Sequence, residues 1–90
     1  MNLRRPRPTE VLTEGFIRSP HGPGMYGDVN CLYLKVDVSG SRRWILRTMV
    51  QGKRRDIGLG GLTTTGLAEA RLKARTYRRI ARSGGDPLTD

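Results

Sequence analysis

Ninety residues allow one small domain with a thin core, in which about 60–65% of the unfolded chain's surface becomes buried. Seventeen Lys and Arg against eight Asp and Glu give a net charge of +9, and no apolar run approaches the ~20 residues that span a bilayer. A lone cysteine, Cys31, excludes an internal disulfide or a zinc site, and a lone histidine, His21, leaves little for acid–base or metal chemistry.

From these limits no cofactor, metal, membrane or small-molecule substrate is expected. No apolar segment follows the basic N-terminus as a secretory signal requires, so a reducing, cytoplasmic compartment is the expected setting. The stretch Gly58-Leu59-Gly60-Gly61 is too short for a phosphate loop and lacks the Lys-Ser/Thr that would follow. No nucleophile–base pair can be assembled, so the chain is not expected to be an enzyme by itself.

Residues 1–30 read as an irregular segment. Pro6, Pro8, Pro20 and Pro23 interrupt it, with Gly15, Gly22, Gly24 and Gly27. Arg4, Arg5 and Arg7 form a basic arm. Thr13 can cap one helical turn that carries Phe16 and Ile17, which join Tyr26 as candidate core residues. His21, between Pro20 and Gly22, is expected at the surface.

From Cys31 the pattern changes to period two. Leu32, Leu34, Val36 and Val38 alternate with Tyr33, Lys35 and Asp37, which predicts a half-buried strand, with Cys31 a small, partly buried residue at its start. Ser39-Gly40 marks a turn. In residues 43–50, Trp44, Leu46 and Thr48 share one face and Ile45, Arg47 and Met49 the other. The parity places Trp44 in the core, where its indole N–H needs an acceptor. Gln51-Gly52 is the second turn. Residues 53–59 alternate again, with Ile57 and Leu59 opposed to Arg54 and Asp56. The expectation is a three-stranded antiparallel meander.

Gly60, Gly61 and three threonines end the sheet. Over 66–83 the period becomes helical: Leu67, Ala70, Ala74, Tyr77 and Ala81 make one apolar stripe, with Ile80 at its margin. Gly66 and Glu69 can form half of a capping box, Gly84 sits where a C′ glycine belongs, and Pro87 prevents continuation. The helix must cover the apolar sheet face, because neither element can bury its surface alone. The fold class is therefore α+β: a three-stranded antiparallel sheet packed on one face by a C-terminal helix, spanning residues 31–88 after the irregular segment 1–30.

Charge selects the function. Residues 1–40 hold five basic and four acidic groups, net +1; residues 41–90 hold twelve and four, net +8, and ten of those twelve are Arg. Guanidinium suits bidentate contact with phosphate and guanine, so a nucleic acid is the expected partner, against the plainer reading of a solvating basic surface. The open sheet face displays Tyr33, Lys35, Asp37, Ile45, Arg47, Met49, Arg54 and Asp56. Its Arg and Lys among apolar groups suit the edges of bases in a major groove. Arg42, Arg43, Lys53 and Arg55, at turns and edges, would meet phosphates. Asp56 would accept from cytosine N4 or hold Arg54. On the helix Arg71, Arg75, Arg78 and Arg82 form a second stripe, expected mainly to be solvated.

The runs Leu32-Tyr33-Leu34-Lys35-Val36, Ser39-Gly40-Ser41-Arg42-Arg43-Trp44, Gly52-Lys53-Arg54-Arg55 and Leu59-Gly60 resemble the N-terminal arm-type DNA-binding domain of phage-like tyrosine recombinases, the integrases. So do Leu67-Ala68-Glu69-Ala70-Arg71, the closing Gly84-Gly85-Asp86-Pro87-Leu88 and the lead-in Pro23-Gly24-Met25-Tyr26-Gly27-Asp28, so that residues 12–88 are covered. Two positions depart from that family: Gly66 stands where it usually has Ser or Thr, and Gly85 where it has a branched apolar residue. The resemblance implies the same sheet and helix, with the sheet laid in the major groove of arm-type sites that flank a recombination core. It implies that Lys35, Arg47 and Arg54 read bases, that Arg42, Arg43 and Lys53 hold phosphates, and that other integrase protomers are partners. The Arg, Lys, His-x-x-Arg and Tyr set of such recombinases is absent, so the chain is expected to be a fragment of a longer integrase that supports site-specific DNA integration. Two alternatives stand beside this: a double-stranded RNA binder, and a protein–protein module that docks through Ile45, Met49 and Leu72.

Overall fold

The computed structural model describes residues 12–88, so the basic arm at Arg4, Arg5 and Arg7 lies outside the described residues. Helix α1 (Glu14–Arg18) is followed by strand β1 (Gly24–Gly27), a single 3₁₀ turn (Val29–Cys31), strands β2 (Leu32–Val36), β3 (Arg42–Val50) and β4 (Lys53–Gly61), and helix α2 (Leu67–Arg82). The class is α+β, as the periodicity requires. The sheet, however, has four strands in the order β1-β2-β3-β4, all antiparallel, where three were expected. The added strand is β1, from within the segment expected to be irregular. It has only Met25 and Tyr26 between two glycines, too few side chains for an alternation to show, and it is held by pairing Met25 with Lys35 and Tyr26 with Leu34.

Side-chain parity divides the sheet into a buried and an open face. Leu32, Leu34, Val36, Trp44, Leu46, Val50, Ile57 and Leu59 are buried beneath α2, which contributes Leu67, Ala70, Ala74 and Ala81. The three alanines let the helix backbone approach the large residues of β3. Leu12 and Ile17 close the core from the N-terminal side, with Phe16, Tyr26 and Tyr77 packed at its margin. Val38 departs from the alternation: β2 ends at Val36, and Val38 is 91% exposed in the turn where the Gly40 N–H donates to the Asp37 carbonyl. Cys31 also departs, being exposed, with a left-handed backbone (φ 63°).

Three local devices fix the frame. At the β3–β4 turn Gln51 and Gly52 both have positive φ (51° and 85°), the conformation whose twist matches the strands of a two-residue hairpin. A bulge at Leu59 breaks the register between Trp44 and Ile45, so Gly60 lies opposite Trp44. There Gly60 has φ 117°, and a Cβ on it would come within 2.5 Å of Thr65 Oγ1. That closeness brings the Thr65 carbonyl to accept from Trp44 Nε1 at 2.8 Å, the acceptor the buried indole needs. At the other end of α2 the Gly84 N–H donates to Ala81 and the Gly85 N–H to Ile80, which completes a Schellman motif. The N-terminus of α2 is plainer: Gly66 supplies no side-chain cap, and Glu69 pairs with Lys73 at 3.7 Å instead of forming a capping box. Thr13 caps α1 as the sequence predicts, its hydroxyl accepting from the Phe16 N–H at 3.1 Å. His21 is half-buried, stacked on Phe16 at 3.8 Å, and Nε2 donates to the Phe16 carbonyl.

The N-terminal segment is tied to α2 through one carboxylate. Asp28, its side chain wholly shielded from solvent, accepts from Arg71 Nε at 2.8 Å and Nη2 at 3.1 Å, and from the Leu12 N–H at 2.8 Å. Arg71 Nη2 also donates to the Leu12 carbonyl. The helical Arg stripe is therefore not one surface. Arg71 is structural, Arg78 donates to Asn30 Oδ1 at 3.0 Å, and Arg75 and Arg82 are exposed.

Candidate nucleic-acid interface

Residues paired across antiparallel strands point to the same side of the sheet. One row of the open face runs Gly27, Tyr33, Ile45, Gly58, and the next Met25, Lys35, Arg43. Beyond β2's end, β3 and β4 continue alone with Arg47 opposite Asp56 and Met49 opposite Arg54. The face thus brings together Tyr33, Lys35, Arg43, Arg47 and Arg54 of the expected contacts, with Ile45 and Met49 between them. Arg43, the second residue of β3 and opposite Lys35, belongs to this face rather than to a turn.

The register puts the other three expected contacts elsewhere. Arg42 lies opposite Val36, Lys53 opposite Val50 and Arg55 opposite Thr48, all on the helix side of the sheet. Arg42 Nη1 donates to the Ile17 carbonyl and so holds α1 against the sheet. Lys53 and Arg55 stay exposed near the β3–β4 turn.

Two carboxylates hold two of the four cations of the open face, Arg43 and Arg47. Asp37 Oδ2 accepts from Arg43 Nη2 at 2.9 Å. Asp56 takes Arg47 from the side, Oδ1 accepting from Nε at 2.9 Å and Oδ2 from Nη2 at 3.0 Å. Asp56 therefore holds Arg47, not the Arg54 that the alternation suggested, because Arg47 is its direct cross-strand partner. The same guanidinium lies 5.4 Å from the centre of the Tyr33 ring, which rests over Gly27. The hydrogen bonds from Arg47 hold the Asp56 carboxyl below its ordinary value, aided by the charges of Arg47, Arg54 and Lys35 and opposed by partial desolvation. Reciprocally, the bond to Asp56 raises Arg47. Gly58 leaves open space beside Ile45, since a Cβ there would meet nothing within 4 Å.

A cleft of about 590 Å³ opens past the end of β2, between the exposed edge of β3 and the C-terminal end of α2. Arg47, Met49 and Arg54 line one side and Arg78, Ala81 and Arg82 the other. It joins the cations of the sheet to those of the helix. Among the described residues no group of three or more His, Cys, Asp and Glu could hold a metal ion, and no helix is long and apolar enough to cross a membrane.

An ordered cationic sheet face with apolar groups between its charges is suited to a grooved polyanion, and comparison with known proteins points the same way. Over 61 residues, 68% of the chain, it is 43% identical to the integrase of Shigella phage Sf6. It is equally similar over the same length to the prophage integrase IntS of Escherichia coli strain K12. The matched chain spans 16% of the length of either relative. The Arm DNA-binding domain family matches residues 12–90, and the chain belongs to that family.

Proposed function

We propose that this domain is the DNA-gripping module of a phage-like integrase, and that it lays its open sheet face along the major groove of a duplex at arm-type sites. The observation that carries this reading is the composition of that face. Four cations (Lys35, Arg43, Arg47 and Arg54) and two carboxylates (Asp37 and Asp56) surround Tyr33, Ile45 and Met49, with the uncovered Gly58 beside them. Major-groove edges offer guanine O6 and N7 as acceptors and the thymine methyl as an apolar contact, and a β-ribbon fits the groove's width. Lys35, Arg47 and Arg54 are assigned to bases. Arg43 and, at the rim, Lys53 and Arg55 are assigned to phosphates, and Arg42 to the fold. Strand-exchange chemistry is assigned to the rest of a longer integrase acting on DNA in the cytoplasm, and other integrase protomers are further partners of this module.

The test is a ¹⁵N chemical-shift titration of the chain with a DNA duplex. Amides of Tyr33, Lys35, Ile45, Arg47 and Arg54 should move together, and competition with an RNA duplex of the same sequence should fail to displace the DNA. Shifts confined to α2, with those five amides unmoved, would refute the sheet-face reading.

A further inference from the structure

A carboxylate on a surface that meets a polyanion lowers affinity for every duplex alike, so Asp56 calls for an explanation. As an ion pair it gives little stability, because both partners are partly exposed and solvent screens their attraction. What it does fix is direction. A guanidinium has five N–H groups in a rigid plane. Asp56 takes the Nε–H and one Nη2–H, which form the side edge of the fork. The end edge, one N–H from each of Nη1 and Nη2, is left to point away from the carboxylate. Those two parallel donors match guanine N7 and O6. The Tyr33 ring, its centre 5.4 Å from the guanidinium carbon, adds a second neighbour that limits where the Arg47 head can go. Arg54, whose charge like that of Lys35 also acts on Asp56, does not take the carboxylate, because cross-strand register gives Asp56 to Arg47 and pairs Arg54 with Met49.

We infer that Asp56 is a positioning residue that braces Arg47 so that its end edge reads a guanine in the major groove, giving up affinity in exchange for discrimination. This rests on the proposed docking of the sheet face on duplex DNA. The recognised chemistry is a guanine on one strand at the position facing Arg47. A free Arg47 side chain would retain its charge but sample many rotamers, and so would meet phosphates and bases without preference.

The experiment is selection from a duplex library with a randomised central segment, followed by affinity measurements on the selected duplex and on random duplex. The wild-type chain should enrich a guanine column. Arg47→Ala and Arg47→Lys should both lose it, at a cost of about 5- to 150-fold in the ratio of selected to random affinity. Asp56→Ala should lower that ratio at least about fivefold while binding random duplex more tightly, the two affinities moving in opposite directions. Asp56→Asn, which keeps an acceptor but not the charge, should lie between. If Asp56→Ala tightens both duplexes equally and keeps the guanine column, the carboxylate is only a repelling charge and the inference is overturned. A cytosine column lost in Asp56→Ala but kept in Arg47→Ala would make Asp56 a direct reader, which also overturns it. If instead Arg47→Ala leaves every column intact, the docking of the sheet face itself fails. Equal loss on both duplexes, with a lowered melting temperature, would assign Asp56 a structural role and overturn the inference.

Discussion

Replacing Arg71 by Met tests whether one ion pair holds the N-terminal segment onto the domain. Met keeps much of the stem that lies along α2 and removes three hydrogen bonds: two to Asp28 and one to the Leu12 carbonyl. The Asp28 side chain is wholly shielded, so the substitution leaves a buried carboxylate with the Leu12 N–H as its remaining donor among the described residues. Removing one partner of a buried pair costs about 3–5 kcal/mol, and the one-third exposure of Arg71 places this case at the lower end. Against the 5–15 kcal/mol typical of a domain this is a large share. For a chain of this length a loss of 3 kcal/mol lowers Tm by roughly 15 °C. Thermal melts followed by far-ultraviolet circular dichroism provide the measurement, with Asp28→Asn and the double variant completing a cycle. The double variant should recover part of the loss, since no uncompensated charge remains, giving a coupling above about 1.5 kcal/mol. A cost below about 1 kcal/mol for Arg71→Met, or strict additivity in the cycle, would show that Asp28 is solvated and that the tie is ornamental.

Two further predictions concern the sheet. Because Arg47 lowers the Asp56 carboxyl, the pair's contribution to stability is present above about pH 3.8, the ordinary carboxylate value, and is lost as pH falls through the lower folded value. A carbon-detected carboxyl titration should place the Asp56 midpoint below 3.8 in the native chain and return it toward that value in Arg47→Ala; equal midpoints would refute the pairing. Gly60→Ala should cost about 1–3 kcal/mol, because it combines a φ of 117° with a Cβ 2.5 Å from Thr65 Oγ1. Trp44 fluorescence should report the loss of its bond to Thr65, and a melting temperature unchanged from the parent would show that the approach relaxes freely.

Much of this fold is written in its periodicities. The alternation over β2 to β4 and the apolar stripe of α2 determine which residues are buried, and Trp44, Gly84 and Thr13 occupy the places their chemistry requires. Strand β1 is not legible, because two side chains between glycines carry no period; it exists by pairing with β2. The faces of β3 and β4 follow from parity, but their cross-strand neighbours do not. Register depends on the Gln51-Gly52 turn and the bulge at Leu59, and it gives Asp56 to Arg47; Arg42, Lys53 and Arg55 go to the helix side by parity with the buried Trp44 and Ile57. The Arg71–Asp28 tie spans 43 residues and leaves no local signal at all.

Gly58 shows how such a surface constrains its own improvement. In the middle of β4 a β-branched residue would raise strand propensity by up to about 1 kcal/mol, and nothing nearby would resist its Cβ. Yet that Cβ would stand as a ridge beside Ile45, on the floor where a groove edge is proposed to settle. On the proposed docking, strand propensity and close approach to a ligand pull in opposite directions at this one backbone position, and the bare peptide there serves the second.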